Sequence, residues 1–368
     1  MSTTVSGVTI SNLPGASVAL LSDLIPIVEV GSPNVTKRAT IAQILALVPS
    51  SGSGSGGGSG GGGTTTSTPA LEWIDVSLAP YSVDTTGATD CTTLLQSAIT
   101  AGQGKPTGAV IYFPPGTYKF STLTVTGSNI HLIGVKGATI AALSNATSDG
   151  FVFGSGSTNP SECVIDGFII TPGGSKTAGA SIRSINCHNL TIRNIVTRGV
   201  NWTGIKIDGG SGQYLVYADN VELNACANAG VVIGDSDLIA TYPQGIFLSN
   251  FEIAYCGNGM MIYSCGGLQC TNVDIIGATG PAVSIVPGSG QAVVWPVFEA
   301  CNADTGSNSG FYFAGSGPIG NVRMTNCWGS SNTNHGIYAN TAALAGLQVN
   351  GGNFINNHQC GIDRKSVV

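Results

Sequence analysis

From Gly150 to Gly361 the chain keeps returning to one phrase, a glycine followed by apolar residues alternating with others. It reads Gly150-Phe-Val-Phe, Gly179-Ala-Ser-Ile, Gly204-Ile-Lys-Ile, Gly230-Val-Val-Ile and Gly259-Met-Met-Ile. It continues as Gly280-Pro-Ala-Val, Gly310-Phe-Tyr-Phe, Gly336-Ile-Tyr-Ala and Gly361-Ile-Asp, at steps of 21–30 residues. Between the glycines lies a second run, often with an asparagine before an apolar residue, as in Leu190-Thr-Ile-Arg-Asn-Ile, Tyr217-Ala-Asp-Asn-Val, Phe247-Leu-Ser-Asn-Phe and Gln269-Cys-Thr-Asn-Val. Alternation with period two marks strands, and no helical period of apolar residues runs through these repeats. Repeats of roughly 20–50 residues mark solenoids, propellers or arrays. Two or three short strands per repeat, split by Gly, Asn and Ser turns, predict an all-β chain wound as a parallel β-helix.

The flanks break this pattern. Asp90-Cys-Thr-Thr-Leu-Leu-Gln-Ser-Ala-Ile-Thr-Ala-Gly predicts a helix, with Asp90 as N-cap, Leu94, Leu95, Ala98 and Ile99 as its buried stripe, and Gly102 as its stop. Such a helix would cover the first coil, whose backbone groups and apolar interior otherwise face water. Residues 1–49 form a small unit of their own. Strands are expected at Ile10 and over Ile25-Pro-Ile-Val-Glu-Val, and a helix from Thr40, where Gln43 completes a capping box and Ile41, Ile44, Leu45 and Val48 give an apolar stripe. Residues 50–69 are a Gly/Ser/Thr-rich flexible linker, uncoupling what lies on either side. Residues 70–368 are then the β-helix, with a capping region over 70–140 and repeating coils over 141–368. Gly361 opens one more coil, and neither an amphipathic cap nor a trimerising tail follows before Val368. A coil end left bare invites association, so a neighbouring chain is expected over it, unless the product is truncated.

Composition narrows the class. Charged residues make up 9% of the chain and glycines number 54, against a typical charged share of ~25%. No apolar run approaches the ~20 residues that span a bilayer, so no membrane insertion is expected. The surface is instead one of hydroxyls and amides. A net charge of −6 leaves no basic footprint for nucleic acid. Of ten cysteines, Cys187, Cys226, Cys256, Cys301, Cys327 and Cys360 recur about once per repeat, near the turn before the glycine phrase. That rhythm suits an inward stack of small buried thiols rather than disulfides. With no CxxC pair and no histidine–cysteine cluster, zinc is not expected. Free thiols fit synthesis in a reducing cytoplasm, and the Met1-Ser-Thr-Thr-Val start carries no signal peptide.

Alternation also assigns candidate chemistry to faces. In Gly204-Ile-Lys-Ile-Asp, Ile205 and Ile207 point inward, so Lys206 and Asp208 point outward; the same count places Met261, Tyr263, Tyr312 and Tyr338 outside. Exposed tyrosines suit stacking on sugar rings, and equally suit packing between subunits. Two residues past three turn asparagines stand Glu222, Glu252 and Asp274. With neighbouring strands ~4.8 Å apart, matched registers would align these carboxylates in one outward column. Crowded like charges push one pKa upward, which makes a general acid; one step of the column approaches the ~5–5.5 Å of retaining glycosidases, and two steps come near the inverting range. The alternative reading of the same residues is ordinary exposed or interface acids. No arginine or lysine shares their row, which disfavours a lyase with a cationic base. A second carboxylate group, Asp208, Asp235 and Asp237, closes the glycine-phrase strands, although Asp235-Ser-Asp237 also fits an Asx turn. His131, His188, His335 and His358 have no Ser or Asp partner at readable spacing.

Two resemblances then add to this reading. Ile10 to Leu13, Asp23 to Val28 and Thr36 to Ile44 resemble the N-terminal module of bacteriophage tail fibre and tailspike proteins. Gly87-Ala-Thr-Asp90, the helix after it, and Ile111-Tyr-Phe-Pro-Pro-Gly-Thr-Tyr118 resemble the opening of the pectate-lyase-like superfamily of right-handed, single-stranded parallel β-helices. Together they imply a virion protein, made in the host cytoplasm and most often homotrimeric. Its residues 1–49 would join phage tail or baseplate proteins, and its β-helix would attach to a bacterial surface polysaccharide. The alternatives are a capsule or lipopolysaccharide depolymerase working by paired carboxylates, or a purely structural virion component. Tailspike depolymerases, which this arrangement resembles, carry Asp/Glu pairs on the β-helix face or between subunits, and a Ca2+ site as in pectate lyases would use the Glu222, Glu252 and Asp274 column; no other cofactor is implied.

Overall fold

The computed structural model describes residues 24–28, 36–40, 71–199, 201–209, 215–234, 242–341 and 343–364. The chain divides into two compact units, Met1–Ser67 and Thr68–Val368. In the first, Leu24–Val28 pairs antiparallel with Thr36–Thr40. The expected strand at Ile10, the helix beyond Thr40, the linker, Asp235, Asp237 and Val368 lie outside the described residues.

The second unit is a parallel β-solenoid of about ten turns, nearly all β, with one short helix among the described residues. One face is a ten-stranded sheet and the other strands form a twenty-stranded sheet. The latter bends into two faces, because its long strands turn a corner in mid-course. Ser161–Asp166 pairs with the stretch His188 to Arg193, and Phe168–Pro172 with Val196 and Thr197. Asn194 sits at the corner between them. Asn194, Asn220, Asn250 and Asn272 all adopt the left-handed conformation, with φ of 53–54°. Asparagine tolerates that region better than other side chains, which explains the recurrent asparagine of the second run.

The glycine phrase has a different cause. Phe151↔Ile182↔Ile205↔Val231↔Met260↔Val283↔Phe311↔Ile337↔Ile362 form one inward row along the ten-stranded sheet. The residue before each is Gly150, Ser181, Gly204, Gly230, Gly259, Ala282, Gly310, Gly336 and Gly361, so these small residues stack one above another. A Cβ on Gly204 would lie 2.6 Å from the Gly230 carbonyl oxygen, and one on Gly310 2.7 Å from that of Gly336. Close backbone approach, rather than a positive φ, selects the glycine. Gly179 and Gly280 stand two residues early, outside the column, and Ser181 and Ala282 take their places.

The helix runs over Thr92–Gln103 and buries Leu95, Ala98, Ile99 and Gly102. Gly102 lets it settle on the first coil, since a Cβ there would lie 2.9 Å from Ile111 and 3.0 Å from Ala109. Two expectations need correcting. Leu94 is exposed at 41%, because a helix against a flat coil end buries a narrow stripe. Cys91, not Asp90, occupies the N-cap. Asp90 accepts from the backbone N–H of Thr92 at 2.9 Å and its hydroxyl at 2.6 Å, one position upstream of the cap. Glu72–Asp75 pairs with Ala109–Tyr112, which pairs with Ile130–Ile133, so the ladder already runs through them.

Nine of the ten cysteines are buried free thiols, and Cys360 is exposed, in the last described coil where no further described coil stacks on it. Cys226 and Cys256 occupy neighbouring positions on adjacent coils, and the Cys226 N–H donates to the Cys256 sulfur at 3.3 Å. Burial alone pushes the Cys265 thiol up to about 12. Among the described residues no helix is long and apolar enough to cross a membrane.

Candidate functional site

The carboxylate column forms in register. Glu222 pairs with Glu252, and Glu252 with Asp274, so the three side chains occupy successive rungs just past the asparagine corner. The corner supplies a frame. The amide of Asn194 donates to Asp166 at 2.7 Å, that of Asn220 to Asn194 at 2.6 Å, and that of Asn272 to Asn250 at 2.8 Å. Asn250 breaks the run by donating to Asp219 at 2.7 Å. Inward Val221, Phe251 and Val273 alternate with the acids and anchor each rung. Acids and asparagines line a groove of about 350 Å³, together with Lys136.

The three acids are not equivalent. Asp274 is half-buried, and loss of solvation raises its pKa; a hydrogen bond with Asn302 opposes the shift and the charge of Asp304 adds to it. Glu252 is exposed. Glu222 is clamped by Arg198: Nη2 donates to Oε2 at 3.3 Å, and Nη1 to Oε1. Arg198 lies in the turn after the row rather than in it, so counting along strands missed it. The arginine after Thr197, at the end of a strand, was the available signal. Among the described residues no three His, Cys, Asp or Glu side chains are grouped to hold a metal ion.

The other candidates are not brought to this groove. Asp208 does not point outward to solvent, as alternation implied. It is 1% exposed, because Arg183 from the preceding coil lies across the strand end and bonds its Oδ2 at 2.6 Å. Tyr263 lies on the ten-stranded face, its hydroxyl 3.9 Å from the sulfur of Met261. Tyr312 and Tyr338 are consecutive in the outward row of that face and stack at 5.7 Å, while His335 stacks on Tyr338 at 4.6 Å. One face of the Tyr312 ring is therefore taken up by Tyr338. His335 also has an acidic neighbour that spacing did not reveal, with Nε2 3.8 Å from Asp363 Oδ2. The two meet only because adjacent coils stack.

Residues 75–283 match the family described as rhamnogalacturonase A/epimerase, pectate lyase-like. Among solved structures, a tailspike protein of the Acinetobacter baumannii bacteriophage Fri1, described as a capsular polysaccharide depolymerase, aligns with a TM-score of 0.53 at 13% identity. The alignment covers 79% of this chain and 57% of that one, so this chain spans little more than half of that tailspike. The A-module of an Azotobacter vinelandii mannuronan C-5 epimerase aligns with a TM-score of 0.42 at 14% identity, over 80% of this chain and 99% of that one. The enzymatically active domain of tailspike protein 2 of bacteriophage CBA120 aligns with a TM-score of 0.47 at 12% identity, over 80% and 47%. No curated protein sequence matches. The fold is thus a tailspike-like, pectate-lyase-like parallel β-helix.

Proposed function

We propose that this chain, which belongs to the rhamnogalacturonase A/epimerase, pectate lyase-like family, is a phage tailspike-type protein that binds a bacterial surface polysaccharide and cleaves it by glycoside hydrolysis. The observation that carries this reading is the single row of Glu222, Glu252 and Asp274 along a groove. Neighbouring rungs are ~4.8 Å apart, close to the ~5–5.5 Å between the carboxyls of retaining enzymes. Asp274, with its raised pKa, is suited to protonate the leaving glycosidic oxygen. Glu252, exposed beside it, is placed to attack the anomeric carbon; Asp274 then takes the proton from the water that releases the sugar. Glu222, clamped in place by Arg198, serves as a hydrogen-bond acceptor for sugar hydroxyls.

The tail location rests on the resemblance of residues 10–44 to phage tail modules, on the flexible segment after them, and on the tailspike fold of the remainder. In this reading residues 1–49 join tail or baseplate proteins, and three copies of the chain assemble. The test is incubation of the full chain with capsule and lipopolysaccharide from candidate hosts. New reducing ends, lost in Glu252→Gln, support hydrolysis; retention of polymer without new ends reduces the protein to an attachment fibre. Unsaturated sugar products would replace hydrolysis by elimination.

A further inference from the structure

Four of the buried cysteines form two pairs, each contributed by consecutive coils at one position. Cys301 and Cys327 stand just before the ladder partners Asn302 and Trp328, and the Trp328 N–H donates to the Cys301 carbonyl at 2.9 Å. Cys226 and Cys256 stand two residues past the partners Asn224 and Ala254, and the Gly257 N–H donates to the Cys226 carbonyl at 2.8 Å. The residue before each cysteine is left-handed: Ala225, Tyr255, Ala300 and Asn326 have φ of 49–55°. Each thiol is thus the inward side chain that follows a corner, and both pairs share one backbone geometry. Neighbouring strands lie ~4.8 Å apart, inside the ~4.4–6.8 Å between Cα atoms that a disulfide spans. Cys163 and Cys187 do not share this arrangement, since Cys163 stands opposite Leu190.

The two sulfurs of a pair are also unlike. Cys226 bonds to the sulfur of Cys256 through its thiol, and through its N–H at 3.3 Å, which holds the Cys256 pKa below the ordinary thiol value in spite of burial. The same thiol–thiol bond, with burial adding to it, pushes Cys226 up. Cys301 and Cys327 repeat the division: the bond between them lowers Cys327 and raises Cys301. The later cysteine of each pair therefore becomes a thiolate more readily, and the earlier one keeps its proton.

We propose that these pairs are oxidation sites at which a hydroperoxide closes two coil-to-coil disulfides, Cys226–Cys256 and Cys301–Cys327. The thiolate of Cys256 or Cys327 attacks a peroxide oxygen; the O–O bond breaks, hydroxide leaves and is protonated to water, and a sulfenic acid remains. The sulfur of Cys226 or Cys301 then attacks that sulfenic sulfur, forms the S–S bond and expels a second water. Each pair gives up two electrons and two protons, and the peroxide takes both. All four thiols are 2% exposed or less, so the reagent enters by local opening of the coils. A reducing cytoplasm keeps the pairs open. Outside it, each bond ties one coil to the next in a fold whose coils hold only their neighbours. None of this requires the carboxylate row to be catalytic.

The experiment uses the full chain carrying Cys360→Ser, which removes the exposed thiol. It is treated with hydrogen peroxide in native buffer, blocked with iodoacetamide in urea, digested with pepsin and mapped by mass spectrometry without reduction. The expected result is two linked peptide pairs, each two hydrogens lighter than its parts, with the other cysteines alkylated. Melting rises by about 5 °C on oxidation and returns with dithiothreitol. Cys256→Ala loses the first link alone and Cys327→Ala the second alone; if either fails to fold, Cys226→Ala or Cys301→Ala removes the same link from its other side. Four thiols that stay open to iodoacetamide, sulfinic acid in place of a link, links to other cysteines, or links that form only when peroxide is added in urea overturn the proposal. Links without a rise in melting overturn their role in holding coil to coil.

Discussion

Asp274→Asn tests the carboxylate row most directly. Asparagine matches aspartate in shape, so the rung between Glu252 and Asn302 keeps its packing and only charge and the exchangeable proton are lost. At ~4.8 Å and an effective dielectric of about 20, two unit negative charges repel by about 3.5 kcal/mol; in bulk water the figure is about 0.9 kcal/mol. Glu252 is exposed and Asp274 half-buried, so the relief belongs near the lower figure, worth about 2 °C in Tm for a domain of this size. The sign follows from the raised pKa of Asp274. Its contribution to stability is fully present below its ordinary value of 3.8 and is lost as pH rises through the raised folded value. The variant is therefore expected to melt above the parent at neutral pH, with the gap closing below about pH 3.8. Cleavage of polysaccharide should fall by about 10²–10⁴-fold, the usual loss when a general acid is removed. Melting curves from pH 3 to 8 and a reducing-end assay read both effects. Cleavage within ten-fold of the parent refutes Asp274 as the acid, and a Tm gap that ignores pH refutes the upward shift of its carboxyl, whose first cause is burial.

Two further outcomes follow from backbone and turn geometry. Gly154 has φ of +86° and a Cβ there would fall onto the carbonyl oxygen of Ile185, whereas Gly137 has φ of +79° with nothing within 4 Å. Gly137→Ala should cost only the left-handed penalty of about 1–2 kcal/mol, and Gly154→Ala about 3 kcal/mol or more, as read by urea unfolding; equal losses would mean that coil-to-coil contact is not what selects this glycine. Asp84 accepts from the Thr86 N–H at 2.8 Å, the Thr86 hydroxyl at 2.6 Å and the Thr89 N–H at 2.7 Å, which together lower its pKa to about 2. That stability is present above 3.8 and is lost as pH falls through about 2, so Asp84→Asn should be the less stable protein at neutral pH and equal to the parent below pH 2, by melting in parallel buffers.

The chain by itself determined the winding. Inward Ile205, Val231 and Met260 alternate with outward residues, and the small residue before each must clear a carbonyl of the next coil, so a solenoid is written as a local period. The corner asparagines are legible for the same reason, since a left-handed φ restricts which side chain can stand there. Once the registers align, Glu222, Glu252 and Asp274 come together, and counting two residues past each corner is enough to find them. What only the tertiary structure decided are the contacts across coils that no period records. The loops between strands differ in length, so Arg198 reaching Glu222, Arg183 covering Asp208, and His335 meeting Asp363 depend on where each turn delivers its last residue. Burial behaves likewise: Leu94 and Asp208 are each misjudged from their strand or helix alone, because what covers a side chain is a neighbour 25 or more residues away.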